Sequence, residues 1–167
     1  MNSLNKNLII VGIGRVGLPL SLVLAKEGFN VTGIDVNQER LQTIKSGRLP
    51  FIEEGAEALL KKFYNKGFVV SHESLLPKVL PYASAIILTL GTPMNDNFSP
   101  DVTQITGFLN KFSGYFIKGQ LIILRSTITP GTTEFIARFL NEKYNFVVGK
   151  DIFLAYCPER IAEGKAV

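Results

Sequence analysis

Short apolar runs and amphipathic stretches alternate along the whole chain. The apolar runs are NLIIVGIG (7–14), FNVTGID (29–35), GFVVS (67–71), ASAIILTLG (83–91), GQLIILRST (119–127) and KDIFLAYC (150–157). Several are unbroken β-branched or aliphatic segments, the pattern of strands buried on both faces rather than one. Helical patterns fill 16–27, 37–46, 54–66, 101–117 and 132–144. In the last of these Phe135, Ile136, Phe139 and Leu140 make one apolar face, with Glu134, Arg138 and Glu142 away from it. Parallel neighbours need a crossover, so strands alternating with helices predict βαβ units. The expected fold is α/β, a doubly wound Rossmann-type parallel sheet of about six strands with helices on both faces. Gly28 follows the first helical pattern and Pro130-Gly131 precedes the last; no repeat or linker divides residues 1–167.

Composition adjusts this picture only at its edges. A chain of 167 residues that is 46% hydrophobic can close one sizeable core. The net charge of +4 is scattered, with Lys61-Lys62 the longest basic run. Nucleic-acid binding needs a concentrated basic stripe, so that class is set aside, whereas small anionic ligands such as pyrophosphates suit the balance. The single cysteine, Cys157, excludes an intrachain disulfide and favours a reducing compartment, so a cytoplasmic location is expected. Met1 to Lys6 followed by Leu8 to Ile13 mimics a secretory leader, but Arg15 interrupts the apolar region and no clean cleavage site follows. Three glycines, Arg15 and Pro19 likewise argue against a membrane span up to Ala25.

The first strand runs straight into Gly12-Ile13-Gly14-Arg15-Val16-Gly17, and a helix follows. Three glycines at this spacing serve a tight turn, close approach of backbone to a pyrophosphate, and close packing of helix on strand. The helix start then offers N–H groups and a partial positive charge to phosphates. A plain loop or a helix-packing motif would also explain the glycines, but the strand-turn-helix context meets the dinucleotide requirement. The second strand ends at Asp35, where a carboxylate can accept both ribose hydroxyls of an adenosine and repel a 2′-phosphate. That favours NAD over NADP, against the alternative of an ordinary solvated aspartate. Arg40, one helical turn beyond Asn37, could stack on adenine or be a plain surface charge.

Ligands of open parallel sheets lie beyond the carboxyl ends of the strands. Three later runs end there in polar residues: Gly91-Thr92-Pro93, Ser126-Thr127 before Pro130-Gly131, and Cys157-Pro158-Glu159. Each alone reads equally well as turn punctuation. Their common edge with Gly12 and Asp35 argues for one shared site. Glu159 and Glu163 would share a face if helical, fitting acid/base work or sugar hydroxyls, although surface carboxylates have the same spacing.

Together these strings resemble the UDP-glucose/GDP-mannose dehydrogenase family. The resemblance rests on GIGRVGLPLS (12–21), LPFIEEG (49–55), LGTPMND (90–96), SPD (99–101), STITPGTTE (126–134) and YCPERIAEGKA (156–166), in that order along nearly the whole chain. It implies an NAD-dependent oxidation of a nucleotide-linked hexose at its C6 alcohol to the carboxylate, with two NAD and a cysteine nucleophile. Gly12, Gly14, Arg15, Val16, Gly17, Asp35, Arg40, Thr92 and Thr127 then correspond to cofactor contacts. Thr127 resembles the threonine that helps hold a catalytic water, and Glu159 the carboxylate that assists thioester hydrolysis. Glu163 resembles a residue shared between substrate and cofactor, with Ile161 and Ala162 along the sugar nucleotide. CPER, in place of SPEF, is similar to members that oxidise UDP-N-acetylhexosamines such as N-acetylmannosamine, and the family's setting is polysaccharide biosynthesis.

The family's central helix and C-terminal domain, with the nucleophile in a GxGGxCxPKD-like motif, have no counterpart in these 167 residues. The expectation is therefore NAD binding without turnover, a nucleotide-sugar substrate completed by a C-terminal catalytic portion, and no metal. Apolar surface near the strand ends predicts self-association as a homo-oligomer. Cys157 reads as a buried structural thiol and His72 as a solvated loop residue after the third strand. A non-catalytic NAD-binding or interaction module is the alternative of another class. A hydroxyacid dehydrogenase N-terminal domain is the third, and it leaves YCPERIAEGKA unexplained.

Overall fold

The computed structural model describes residues 5–93, 101–160 and 164. All six apolar runs contain a strand: β1 (Asn7–Val11), β2 (Asn30–Asp35), β3 (Phe68–His72), β4 (Ala85–Leu88), β5 (Leu121–Leu124) and β6 (Phe153–Tyr156). Five of the strands are shorter than their runs, whereas β3 matches its run in length and is shifted one residue onward, to end on His72. The strands form one parallel sheet in the order β3-β2-β1-β4-β5-β6. The chain winds outward from β1 to β3, then crosses back and continues from β4 to β6. β1 and β4 therefore flank the point where the direction of winding reverses, which opens a crevice beyond their carboxyl ends.

Alternation along the buried strands assigns side chains to the two faces. Leu8 and Ile10 of β1, with Ala85 and Ile87 of β4, pack under α1 (Gly17–Lys26), α2 (Gln38–Lys45) and α3 (Ala56–Phe63). Ile9, Val11, Ile86 and Leu88 pack on the other face under α4 (Leu76–Val79), α5 (Thr103–Phe112) and α6 (Thr132–Tyr144). Burial on both faces is what the unbroken apolar runs require. Pro19 is the third residue of α1, inside the first turn, where its missing N–H has no intrahelical partner to lose.

Three expectations need correction. The helical pattern 101–117 is not one helix: α5 ends at Phe112 and a 3₁₀ turn, Ser113–Tyr115, carries the chain onward. Phe135 is exposed and only Ile136 and Leu140 of the four apolar residues in α6 are fully buried, so the buried stripe is narrower than the apolar one. His72 is the last residue of β3, half-buried, and its Nδ1 accepts from the Ser74 N–H to start the next turn. The crossover 73–82, α4 with a 3₁₀ turn on each side, has no clear periodicity in sequence. Buried Gln120 holds its end: Nε2 donates to the Leu80 and Ala83 carbonyls (2.6 and 2.9 Å), and Oε1 accepts from Ile117 N–H at 2.9 Å. No helix among the described residues is long and apolar enough to cross a membrane.

Candidate functional site

Beyond β1 the chain turns sharply at Gly12, whose φ of +94° lies in the left-handed region. Gly12 N–H donates to the Ile34 carbonyl at 2.8 Å, so the turn continues the pairing with β2. Gly17 shows the tightest packing: a Cβ there would lie 2.1 Å from the Gly12 carbonyl oxygen and 2.7 Å from Thr89 Oγ1. Gly14 is the opposite case, with nothing within 4 Å of a Cβ position. The first glycine thus serves the turn, the third serves contact, and the second leaves open space for a ligand. No side chain caps α1 at Val16, which leaves the first turn of the helix available to an anion.

Asp35 closes the other side of this turn. Its side chain is only 5% exposed, which removes the reading of a solvated strand-end carboxylate. Oδ2 accepts from Ile13 N–H at 3.1 Å and from Arg40 Nη1 at 2.6 Å, and Oδ1 accepts from Asn37 N–H at 2.9 Å. A carboxylate has about four acceptor positions, so three are already filled. The fourth, on Oδ1, can take one ribose hydroxyl; a second would have to displace Arg40. Arg40 is thus the ion-pair partner of Asp35 rather than a lone surface charge, and its side chain, one-third exposed, also lines the cleft. Arg15 projects into a second groove, of about 490 Å³, where its guanidinium lies 5.4 Å from the centre of the Phe51 ring.

The cleft beside this turn has a volume of about 450 Å³, with Gly12, Gly14, Asp35, Arg40 and Thr89 on one side and α5 on the other. Thr89, Leu90 and Gly91 also line a smaller space of about 210 Å³ with Thr92, Thr127 and Glu159, so the two adjoin. The ends of β4, β5 and β6 are bound together there. Thr92 Oγ1 donates to the Thr127 carbonyl at 2.6 Å, and Ser126 Oγ donates to the Leu90 carbonyl. Arg125 Nη2 pairs with Glu159 Oε2 at 2.8 Å, while Nη1 donates to the carbonyls of Cys157 (3.0 Å) and Pro158 (2.8 Å). Arg125 Nε is buried without a hydrogen-bond partner. Cys157 is exposed, not buried, and its Sγ lies 3.3 Å from Arg125 Nη1.

The expected residues Gly12, Gly14, Val16, Asp35, Arg40, Thr92, Thr127 and Glu159 are therefore gathered along one crevice. Ile161, Ala162 and Glu163 lie outside the described residues, as do 94–100 of the LGTPMND and SPD strings. Two further strings meet across the fold: Gly164 N–H donates to Glu53 Oε2 at 3.0 Å, and Glu54 N–H donates to the Gly164 carbonyl at 3.1 Å. The sequence reading missed Thr89 and Arg125. Thr89 holds the turn, its hydroxyl lying between the carbonyls of Val11 and Gly12. Arg125 carried a signal, as the one charge at the end of the apolar run LIILR.

The model of the UDP-glucose/GDP-mannose dehydrogenase family, NAD binding domain, matches residues 6–167. The chain belongs to this family. It is 35% identical over 159 residues to UDP-N-acetyl-D-mannosamine dehydrogenase of Methanococcus aeolicus, covering 93% of this chain and 34% of that protein. The enzyme of the same name from Campylobacter jejuni is 32% identical over 175 residues, covering all of this chain and 42% of that protein. Among solved structures, UDP-D-ManNAc dehydrogenase of Pyrococcus horikoshii superposes with a TM-score of 0.86 at 29% identity, over 95% of this chain and 37% of that one. The chain thus spans about a third to two-fifths of the length of these relatives. The glycine turn and its cleft are those of an NAD-binding domain, and the open position at Gly14 fits a dinucleotide lying against the backbone.

Proposed function

We propose that these residues hold NAD for a nucleotide-sugar 6-dehydrogenase acting on a UDP-N-acetylhexosamine, with N-acetylmannosamine the leading sugar. The observation that carries this reading is Glu159, held by Arg125 beside the Thr92–Thr127 bond, at the end of the cleft that starts at Asp35. NAD supplies the hydride acceptor. Gly12, Gly14, Gly17 and the start of α1 would receive the pyrophosphate, and Asp35 and Arg40 the adenosine ribose. Arg15 and Val16 would add backbone to the phosphate cradle. At the far end Thr92 holds the Thr127 carbonyl, and Thr127, an exposed residue, would orient a water through its hydroxyl. Glu159, anchored through Oε2, would take a proton from that water, as an alcohol-to-carboxylate oxidation requires. Glu163, Ile161 and Ala162 are assigned to the sugar nucleotide on the family resemblance. The names of the relatives support the N-acetylmannosamine choice, and CPER at 157–160 agrees with it.

NMR titration of the NAD-loaded protein tests the substrate class. UDP-N-acetylmannosamine should shift the amides of Thr92, Thr127 and Glu159, and 3-hydroxyisobutyrate should leave them unmoved. Equal shifts with the hydroxy acid, or none with the sugar nucleotide, would contradict the reading.

A further inference from the structure

One wall of the cleft is not explained by the glycine turn or the family motifs. α5 lines it with Gln104, Gly107, Phe108 and Lys111, a spacing that puts all four on one stripe of the helix. Gly107 lies in the middle of that stripe. Glycine weakens a helix interior relative to alanine, so its presence invites a local reason. Two common reasons are absent. Its φ is not positive, and no described atom lies within 4 Å of where its Cβ would be. What the missing side chain leaves is room in the cleft.

The opposite side of the cleft is formed by the end of β2, where Val36 follows Asp35 and is 65% exposed. A further tie crosses between the walls. Lys111 Nζ of α5 pairs at 2.6 Å with Glu73 Oε1, in the turn after β3, and both residues line the cleft. A slot with apolar Val36 on one side, a bare stretch of helix on the other and an ion pair beside it suits a flat heteroaromatic ring. The pair offers the edge of such a ring one acceptor and one donor, the complement of an amino group next to a ring nitrogen.

We propose that Gly107 is a cofactor-binding position, kept without a side chain so that the adenine of NAD lies flat against α5 between Val36 and the Glu73–Lys111 pair. The inference rests on NAD occupying this cleft and goes beyond the assigned contacts at Asp35 and Arg40. A side chain at Gly107 would thin the slot from one side without disturbing the core, since its neighbourhood is open.

Calorimetry on the 167-residue protein with NAD and ADP-ribose, and NMR titration with nicotinamide mononucleotide, test this. Gly107→Ala should raise Tm by about 2–4 °C through helix propensity while weakening NAD and ADP-ribose. Gly107→Leu should weaken both by about tenfold or more, with nicotinamide mononucleotide unchanged. A merely structural glycine would not give a more stable protein that binds less well. Lys111→Met should weaken NAD in the same direction, with Lys111→Arg restoring it. Gly107→Leu that binds NAD within about twofold of wild type, or that loses the mononucleotide equally, overturns the proposal. If Gly107→Leu does not fold, unchanged NAD affinity in Gly107→Ala overturns it instead. A wild-type protein that binds no NAD would overturn the cofactor reading itself, a separate result seen before any variant is made.

Discussion

At Gly17 the chain has no tolerance for a side chain, because a methyl group would overlap a carbonyl oxygen that the turn cannot move. Gly17→Ala should cost about 1–3 kcal/mol in urea unfolding, the usual range for overpacking, and should abolish NAD binding by displacing Gly12. Gly14→Ala should leave stability nearly unchanged and lower NAD affinity, since only the ligand would meet its methyl group. Asp35, proposed to hold the ribose, is also structural, as its three accepted bonds join the turn, Asn37 and Arg40. The positions of these residues were legible in the sequence because each depends on local backbone geometry in a strand-turn-helix context. The loss of one ribose acceptor to Arg40 was not, because it depends on how a long side chain five residues away folds back. Thr89 and Arg125 were hidden for a related reason, since their partners are far away in sequence.

At the scale of elements, the paired faces of each strand follow from unbroken apolar runs, and all six were legible. The crossover 73–82 was not. It has two prolines and no helical period, and it is held instead by the side chain of Gln120, some forty residues away. Gln120→Leu should therefore cost about 1–3 kcal/mol in denaturant unfolding, by stranding buried carbonyls and an N–H. A second tie sits where the chain enters β6. Asp151 takes a hydrogen bond from Lys118 and another from Val147 N–H, which hold its carboxyl below the ordinary value of 3.8. A carboxyl lowered on folding adds stability that is present above its unfolded value and lost as the pH falls through the folded one. Thermal melts should therefore show a steeper loss below about pH 4 in the wild type than in Asp151→Asn.

For the molecule as a whole, winding outward to β3 and back to β4 places the described candidate residues at one rim of the sheet. The cleft from Asp35 to Glu159 is the consequence, and it brings the residues proposed for cofactor and for reaction into one crevice without a second layer of strands. The strings that begin at Gly12, Leu90, Ser126 and Tyr156 revealed this arrangement because they fall at strand ends; the exposed Cys157 shows that a strand-end cysteine need not be core. The same 167 residues should bind NAD yet form no NADH at a steady rate with any UDP-hexose, because the family's nucleophile motif and the C-terminal part of its sugar site have no counterpart among them. The central claim is that Asp35 makes this cleft an NAD site, and calorimetry with NAD and NADP on the wild type and Asp35→Ala measures it directly. NAD should be preferred by about tenfold or more in the wild type, with the preference largely lost in the variant. Equal affinities in the wild type, or a preference for NADP, would contradict it.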